Sequence, residues 1–363
     1  MHNQVFKLNN FDLLRLIAAL QVALNHAVGY LDSHPPALLK NILYFSYMFP
    51  GVPIFFFISG FLISKSYESN HNLVEYFQNR FLRLYPGLII CVTLSFILIY
   101  ISGYMATAGG SAFDWSLLYI AKTTIVQFYN PDFMRAYGDG VLNGSLWTIT
   151  IELQFYFLIP LVYSIFKIQS SKNSNTILLV LITIFLVINR VYSYIPLEFR
   201  DGIGFKLLRM TFLPWFYMFL CGVFVQRNFN FFYKLFAGKF IYVIVLYAGI
   251  GYVTLKYKIM LGNNLNPLVF IFLAATTFTF AYSFVGLSKK LLNGNDISYG
   301  AYIYHMPVIN FMIYNGYVGN VSVAFYALFI TVILALTSWL VIEKKSLSLK
   351  KHAMNPLNKT IKK

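Results

Sequence analysis

The chain has 363 residues, of which 58% are hydrophobic and only 11% charged, so it is no water-soluble domain: so few charges could not keep that much apolar surface in solution. A formal charge of +16 would suit a nucleic-acid partner, but the lysines crowd the C-terminal tail, as expected of a basic flank after a last hydrophobic segment. The apolar runs are continuous rather than alternating, which predicts an all-α integral membrane protein.

In chain order, the first long apolar run is 11–31, too long for a cleaved signal and therefore read as a span. Further spans are predicted at 41–63, 84–103, 147–166, 176–195, 207–226, 240–256, 267–286, 297–316 and 322–342, about ten transmembrane helices in all. With both termini cytoplasmic, most of the basic residues fall on one side, among them Lys7, Lys65, Arg80, Arg83 and the tail lysines Lys344, Lys345, Lys350, Lys351, Lys359, Lys362 and Lys363. The stretch 115–129 is apolar but short and interrupted by Lys122, which predicts a re-entrant or interfacial segment. The organisation is thus one membrane domain, 1–343, and a basic cytoplasmic tail, 344–363. Cys91 and Cys221 sit inside apolar runs as small hydrophobes. Neither metal-ligand spacing nor a nucleotide-binding glycine loop is present, so no metal or permanently bound cofactor is expected.

Charged and titratable side chains within apolar runs persist mainly where they face protein or a wet cavity. The first run carries three: Asp12, Arg15 and His26. His26 lies eleven positions after Arg15, and eleven steps of roughly 100° return to within about 20° of the start, so both share one helix face about 16 Å apart along the axis. Asp12, three residues before Arg15, is placed to pair with it. Glu152 lies near the start of the fourth predicted span, at a depth similar to His26. Arg209 begins the sixth, and His305 falls mid-membrane in the ninth.

FDLLRLIAALQVALNH closely resembles the opening signature of the membrane-bound acyltransferase-3 family, an arginine, ten residues and a histidine. Four more blocks are similar to that family's in the same order. They are GVPIFFFISGFLIS (51–64), RFLRLYP (80–86), SLWTITIELQFYFLIP (145–160, carrying Glu152) and SYGAYIYHMP (298–307, carrying His305). Two positions depart from the pattern. Pro53 stands where an acidic residue is common, which removes a catalytic acid there, and Lys345 stands where a proline commonly follows Glu-Lys.

The resemblance implies a stand-alone carbohydrate O-acyltransferase of the bacterial cytoplasmic membrane, without a fused extracytoplasmic hydrolase-like domain. Its partners would be the bilayer, an acyl-CoA donor (most often acetyl-CoA) and a carbohydrate or lipid-linked glycan such as lipopolysaccharide O-antigen, with no nucleic acid. Acyl transfer needs a cationic donor site, a base for the acceptor hydroxyl and stabilisation of developing charge. Arg15, Arg80 and Arg83 suit the donor phosphates, since guanidinium groups bind phosphate bidentately. His26 suits the base or an acyl carrier, and Glu152 could orient its tautomer. Tyr299, His305 and Arg209 are candidate acceptor contacts. A transporter, flippase or polymerase of lipid-linked glycans is the competing reading. The former predicts paired repeat halves and the latter a large basic outer loop, and the sequence shows neither.

Overall fold

The computed structural model describes residues 6, 8–32, 34–69, 72–257, 259 and 262–353. Lys7, Lys359, Lys362 and Lys363 of the predicted basic flanks lie outside the described residues. All regular secondary structure among the described residues is helical.

The number of spans differs from expectation. Six helices are long and apolar enough to cross a membrane: Phe11–Leu31, Ala37–Ser69, Leu73–Ile101, Gly144–Ile165, Ser174–Tyr194 and Val321–Lys350. Counting the bent pair Phe229–Phe236 and Phe240–Lys256 as one span makes seven, not about ten. An apolar stretch need not be one straight helix. The predicted span 207–226 is broken into Ile203–Arg209 and the twelve-residue Phe216–Arg227, which at 1.5 Å per residue is about 18 Å long, well short of an apolar layer about 30 Å thick. The predicted span 240–256 is preceded by an 87° bend. There Gly238 adopts φ +77°, which L side chains avoid. Pro267–Ser283 and Ser298–Tyr314, at seventeen residues each, reach about 26 Å. The termini carry no membrane assignment, and the tail begins as a helix, Lys344–Ala353.

The chain forms two compact units. One comprises 1–21, 41–69 and 151–296. Its tightest packing is between Gly51–Ser69 and Phe216–Arg227, where glycines let backbones meet: a Cβ on Gly60 would lie 1.9 Å from the Phe219 carbonyl oxygen, and one on Gly222 2.2 Å from that of Phe57. Pro53 is accommodated in the first turn of Gly51–Ser69, where its missing N–H breaks no helical bond. The break at 210–215 exposes backbone groups that water cannot satisfy inside a bilayer. Gln154 donates to the Met210 carbonyl (2.7 Å) and accepts from the Phe212 N–H (2.8 Å), while Asn189 donates to the Pro214 carbonyl (2.9 Å). Phe61 centres an aromatic cluster with Phe11, Phe229, Phe278 and Tyr282.

The second unit comprises 22–40, 70–150 and 297–363. Leu73–Ile101, Ser298–Tyr314 and Val321–Ser338 pack together in it, with Gly300 against the Ala335 backbone and Gly87 beneath the Tyr299 ring. The apolar stretch 115–129 forms most of the short helix Ala112–Thr123, and from there to Asn143 the chain is irregular apart from the 3-10 turn Asp132–Met134.

Candidate active site

Ser298–Tyr314 is built around a proline. Pro307 has no N–H, so the carbonyl of Ile303, four residues earlier, loses its intrahelical partner. The side chain of Asn143 fills the gap with a 2.9 Å hydrogen bond from Nδ2, and Cys91 Sγ donates to the same oxygen at 3.2 Å. Asn143 Oδ1 in turn accepts from the backbone N–H and the hydroxyl of Ser145 (3.1 and 2.7 Å).

One turn beyond Pro307, Asn310 clasps the same loop. Its Nδ2 donates to the Val141 and Leu142 carbonyls (2.8 and 3.3 Å), and its Oδ1 accepts from the Asp139 N–H at 3.1 Å. Gly138, at φ +58°, passes so close that a Cβ would lie 2.5 Å from Asn310 Oδ1. Between these two anchors sits His305, fully buried.

His305 Nε2 lies 2.9 Å from Nδ1 of His26, with the rings inclined at 33°. Tyr30 stands edge-on to His26 and Tyr302 edge-on to His305. The Tyr302 hydroxyl is itself fixed, accepting from Thr148 Oγ1 at 2.9 Å. Among the described residues, no partner has hydrogen-bonding geometry at His305 Nδ1. The helix carrying His26 is unbroken from Phe11 to Leu31. Two imidazoles sharing a hydrogen bond in a buried setting can hold one tautomer and pass a proton.

The other predicted residues are placed as follows. Glu152 Oε1 accepts from Tyr156 OH at 2.6 Å and from Ser59 Oγ at 3.3 Å. Arg15 is half-buried and its Nη1 lies 3.8 Å from Asp12 Oδ1. Arg80 stacks over the Tyr76 ring, 5.3 Å from its centroid. Lys350, on the helix Lys344–Ala353, lies within electrostatic reach of both Arg80 and Arg83. Tyr299 is buried, and its hydroxyl donates to the Leu84 carbonyl at 2.9 Å. Arg209 ends its short helix with an exposed side chain, and its carbonyl accepts from Trp215 Nε1. The described residues include no group of three or more side chains able to hold a metal ion.

Sequence reasoning did not single out Asn143, Asn310 or Asp139. The clue was the proline two residues after His305, which requires some donor to replace the lost N–H.

An acyltransferase-domain family profile matches residues 8–342, nearly the whole chain. The chain belongs to the membrane-bound acyltransferase-3 family. Among relatives of this acyltransferase, nodulation protein 10 of Rhizobium leguminosarum bv. viciae is 30% identical over 355 residues, which cover 94% of either chain. An O-acetyl transferase of Shigella phage Sf6 is 25% identical over 358 residues, 94% of this chain and 97% of the phage protein. O-acetyltransferase OatA of Staphylococcus aureus is 32% identical over 145 residues, 38% of this chain and 23% of that protein. No solved structure matches the acyltransferase. Membership makes this an acyltransferase-type enzyme with long apolar helices suited to a membrane.

Proposed function

We propose that the protein is an O-acetyltransferase of the bacterial cytoplasmic membrane, moving an acetyl group from acetyl-CoA to a hydroxyl of a surface or lipid-linked carbohydrate. The observation that carries this reading is the 2.9 Å contact between His26 and His305. In this reading the proton of neutral His305 sits on Nδ1. His305 Nε2 then accepts from His26 Nδ1–H, which leaves His26 Nε2 with a lone pair. That nitrogen takes the proton of the acceptor hydroxyl as its oxygen attacks the thioester carbonyl. The new C–O bond forms, the C–S bond breaks, and the proton leaves with the thiolate. An acyl-histidine on the same nitrogen is the stepwise version. His305 is thus a positioning residue rather than an acceptor contact.

The cations supply the donor site. Arg80, Arg83 and Lys350 form a cluster of like charges, which is stabilised by an anion such as the phosphates of acyl-CoA. Arg15, beside Asp12 in the first unit, is a phosphate-binding candidate in its own right. Glu152, held by Tyr156 and Ser59, is a fixed carboxylate for a sugar hydroxyl or a developing positive charge. The relatives' names support acetyl as the group transferred, since two of them are called O-acetyltransferases.

The test uses membranes containing the full chain and radiolabelled acetyl-CoA, with label followed into polysaccharide. Wild-type membranes transfer label and His26→Gln membranes do not. Transfer by His26→Gln at the wild-type rate would overturn the reading, and absence of transfer together with glycan movement across the membrane would favour the flippase alternative.

A further inference from the structure

A cavity of about 480 Å3 lies within the first unit, lined by none of the residues assigned to the transfer reaction. Lys65, Glu68, Arg227 and Asn230 line it, with Phe6 and Phe229 among its walls. Its polar groups do not balance. The Glu68 carboxylate already takes three donors: Oε1 takes Arg227 Nη1 at 2.5 Å and Tyr163 OH at 3.1 Å, and Oε2 takes Gln226 Nε2 at 3.1 Å. Gln226 Oε1 is used by Ser64.

The donors are left over. Arg227 Nε–H is buried with no acceptor among the described residues. The Lys65 ammonium meets no carboxylate among the described residues and sits instead 5.6 Å from the Phe6 ring centroid. Asn230 is exposed, and its side chain bonds to no described residue. One net positive charge and three unanswered donors on a wall with aromatic faces describe an anion receptor.

The surroundings narrow the anion. Phe229–Phe236, which supplies part of the wall, is a short helix turned 87° from the one that follows. Phe231 and Leu235 on it are exposed, at 65% and 44%. Apolar side chains on the outside beside a cationic recess inside are the arrangement of an interfacial helix at lipid headgroups.

We propose that this cavity is a phosphate-ester site, with Lys65, Arg227 and Asn230 as the donors. The phosphate is carried by an anionic phospholipid or by a nucleotide. The test reads binding alone, so its outcome is distinguishable from that of the transfer assay.

The full-length chain in detergent micelles is titrated with dioleoylphosphatidylglycerol, with dioleoylphosphatidylcholine and, separately, with adenosine 3′,5′-bisphosphate, following the thermal midpoint. Saturable stabilisation by phosphatidylglycerol but not phosphatidylcholine identifies a lipid. Stabilisation by the bisphosphate identifies a nucleotide. In either case Lys65→Glu weakens apparent affinity by about tenfold or more, and Lys65→Arg retains it. Asn230→Asp weakens it as well, and serves if Lys65→Glu does not fold. Equal responses of wild type and both charge-altering variants to every probe, or no response at all, would overturn the site.

Discussion

Nδ1 of His26 and Nε2 of His305 lie 2.9 Å apart, although 279 residues separate them in the chain. The contact depends on how Ser298–Tyr314 is held. The loop side chain of Asn143 and the helix side chain of Asn310 pin that helix on either side of His305. A histidine that no other described side chain hydrogen-bonds is thereby turned toward a single partner.

Replacing His305 tests the pair directly. His305→Asn should lower the rate of acetyl transfer by about 10- to 100-fold while leaving the KM for acetyl-CoA unchanged, because it removes the group that sets the His26 tautomer and leaves the donor cations in place. Steady-state kinetics at varied donor concentration checks the split. A change in KM alone would make His305 a binding residue.

Asn143→Leu leaves the Ile303 carbonyl to Cys91 Sγ alone, and a thiol is a weak donor. The expected loss of stability is about 1–3 kcal/mol, the range for a buried polar group that loses its partner. Thermal unfolding in micelles measures it. The double variant Asn143→Leu with Pro307→Ala should recover part of the loss, because alanine returns the N–H that proline lacks.

Glycine is required where helices of the first unit cross. Gly60→Ala and Gly222→Ala each place a methyl against backbone at about 2 Å, so both should destabilise by about 3 kcal/mol or more and reduce the yield of folded protein. Gly29→Ala, with nothing within 4 Å of its Cβ, is the matched control and should be neutral or slightly stabilising. Size-exclusion profiles and thermal midpoints of the three variants separate these outcomes.

Lys122 predicts a pH dependence. It is buried, with Nζ donating to the Gln127 carbonyl at 2.6 Å. Burial pulls its amine down to about 7, opposed by the charge of Asp139, whose own carboxyl burial pushes up. The unfolded lysine stays protonated to about 10.4, so between pH 7 and 10 the unfolded state binds the extra proton and stability rises with pH. The slope from this group is at most about 1.4 kcal/mol per pH unit. Lys122→Met should remove that rise, as followed by thermal midpoints from pH 7 to 9.5.

The family, the long apolar helices and the shared helix face of Arg15 and His26 were legible in the primary structure. They rest on local quantities: the length of an apolar run, and the eleven-residue register that puts Arg15 and His26 on one face of an unbroken helix. The pairing of Asp12 with Arg15 was legible for the same reason, being three residues apart. The number of spans was not, because hydropathy averages over a break such as 210–215. A helix can stop inside an apolar stretch when distant side chains, here Gln154 and Asn189, satisfy the backbone it leaves open. The partner of His26 was equally out of reach. Depth along the spans suggested Glu152, and His305 was read only as an acceptor contact; that His305 meets the imidazole depends on long-range packing around Pro307, which no periodicity within a single helix encodes.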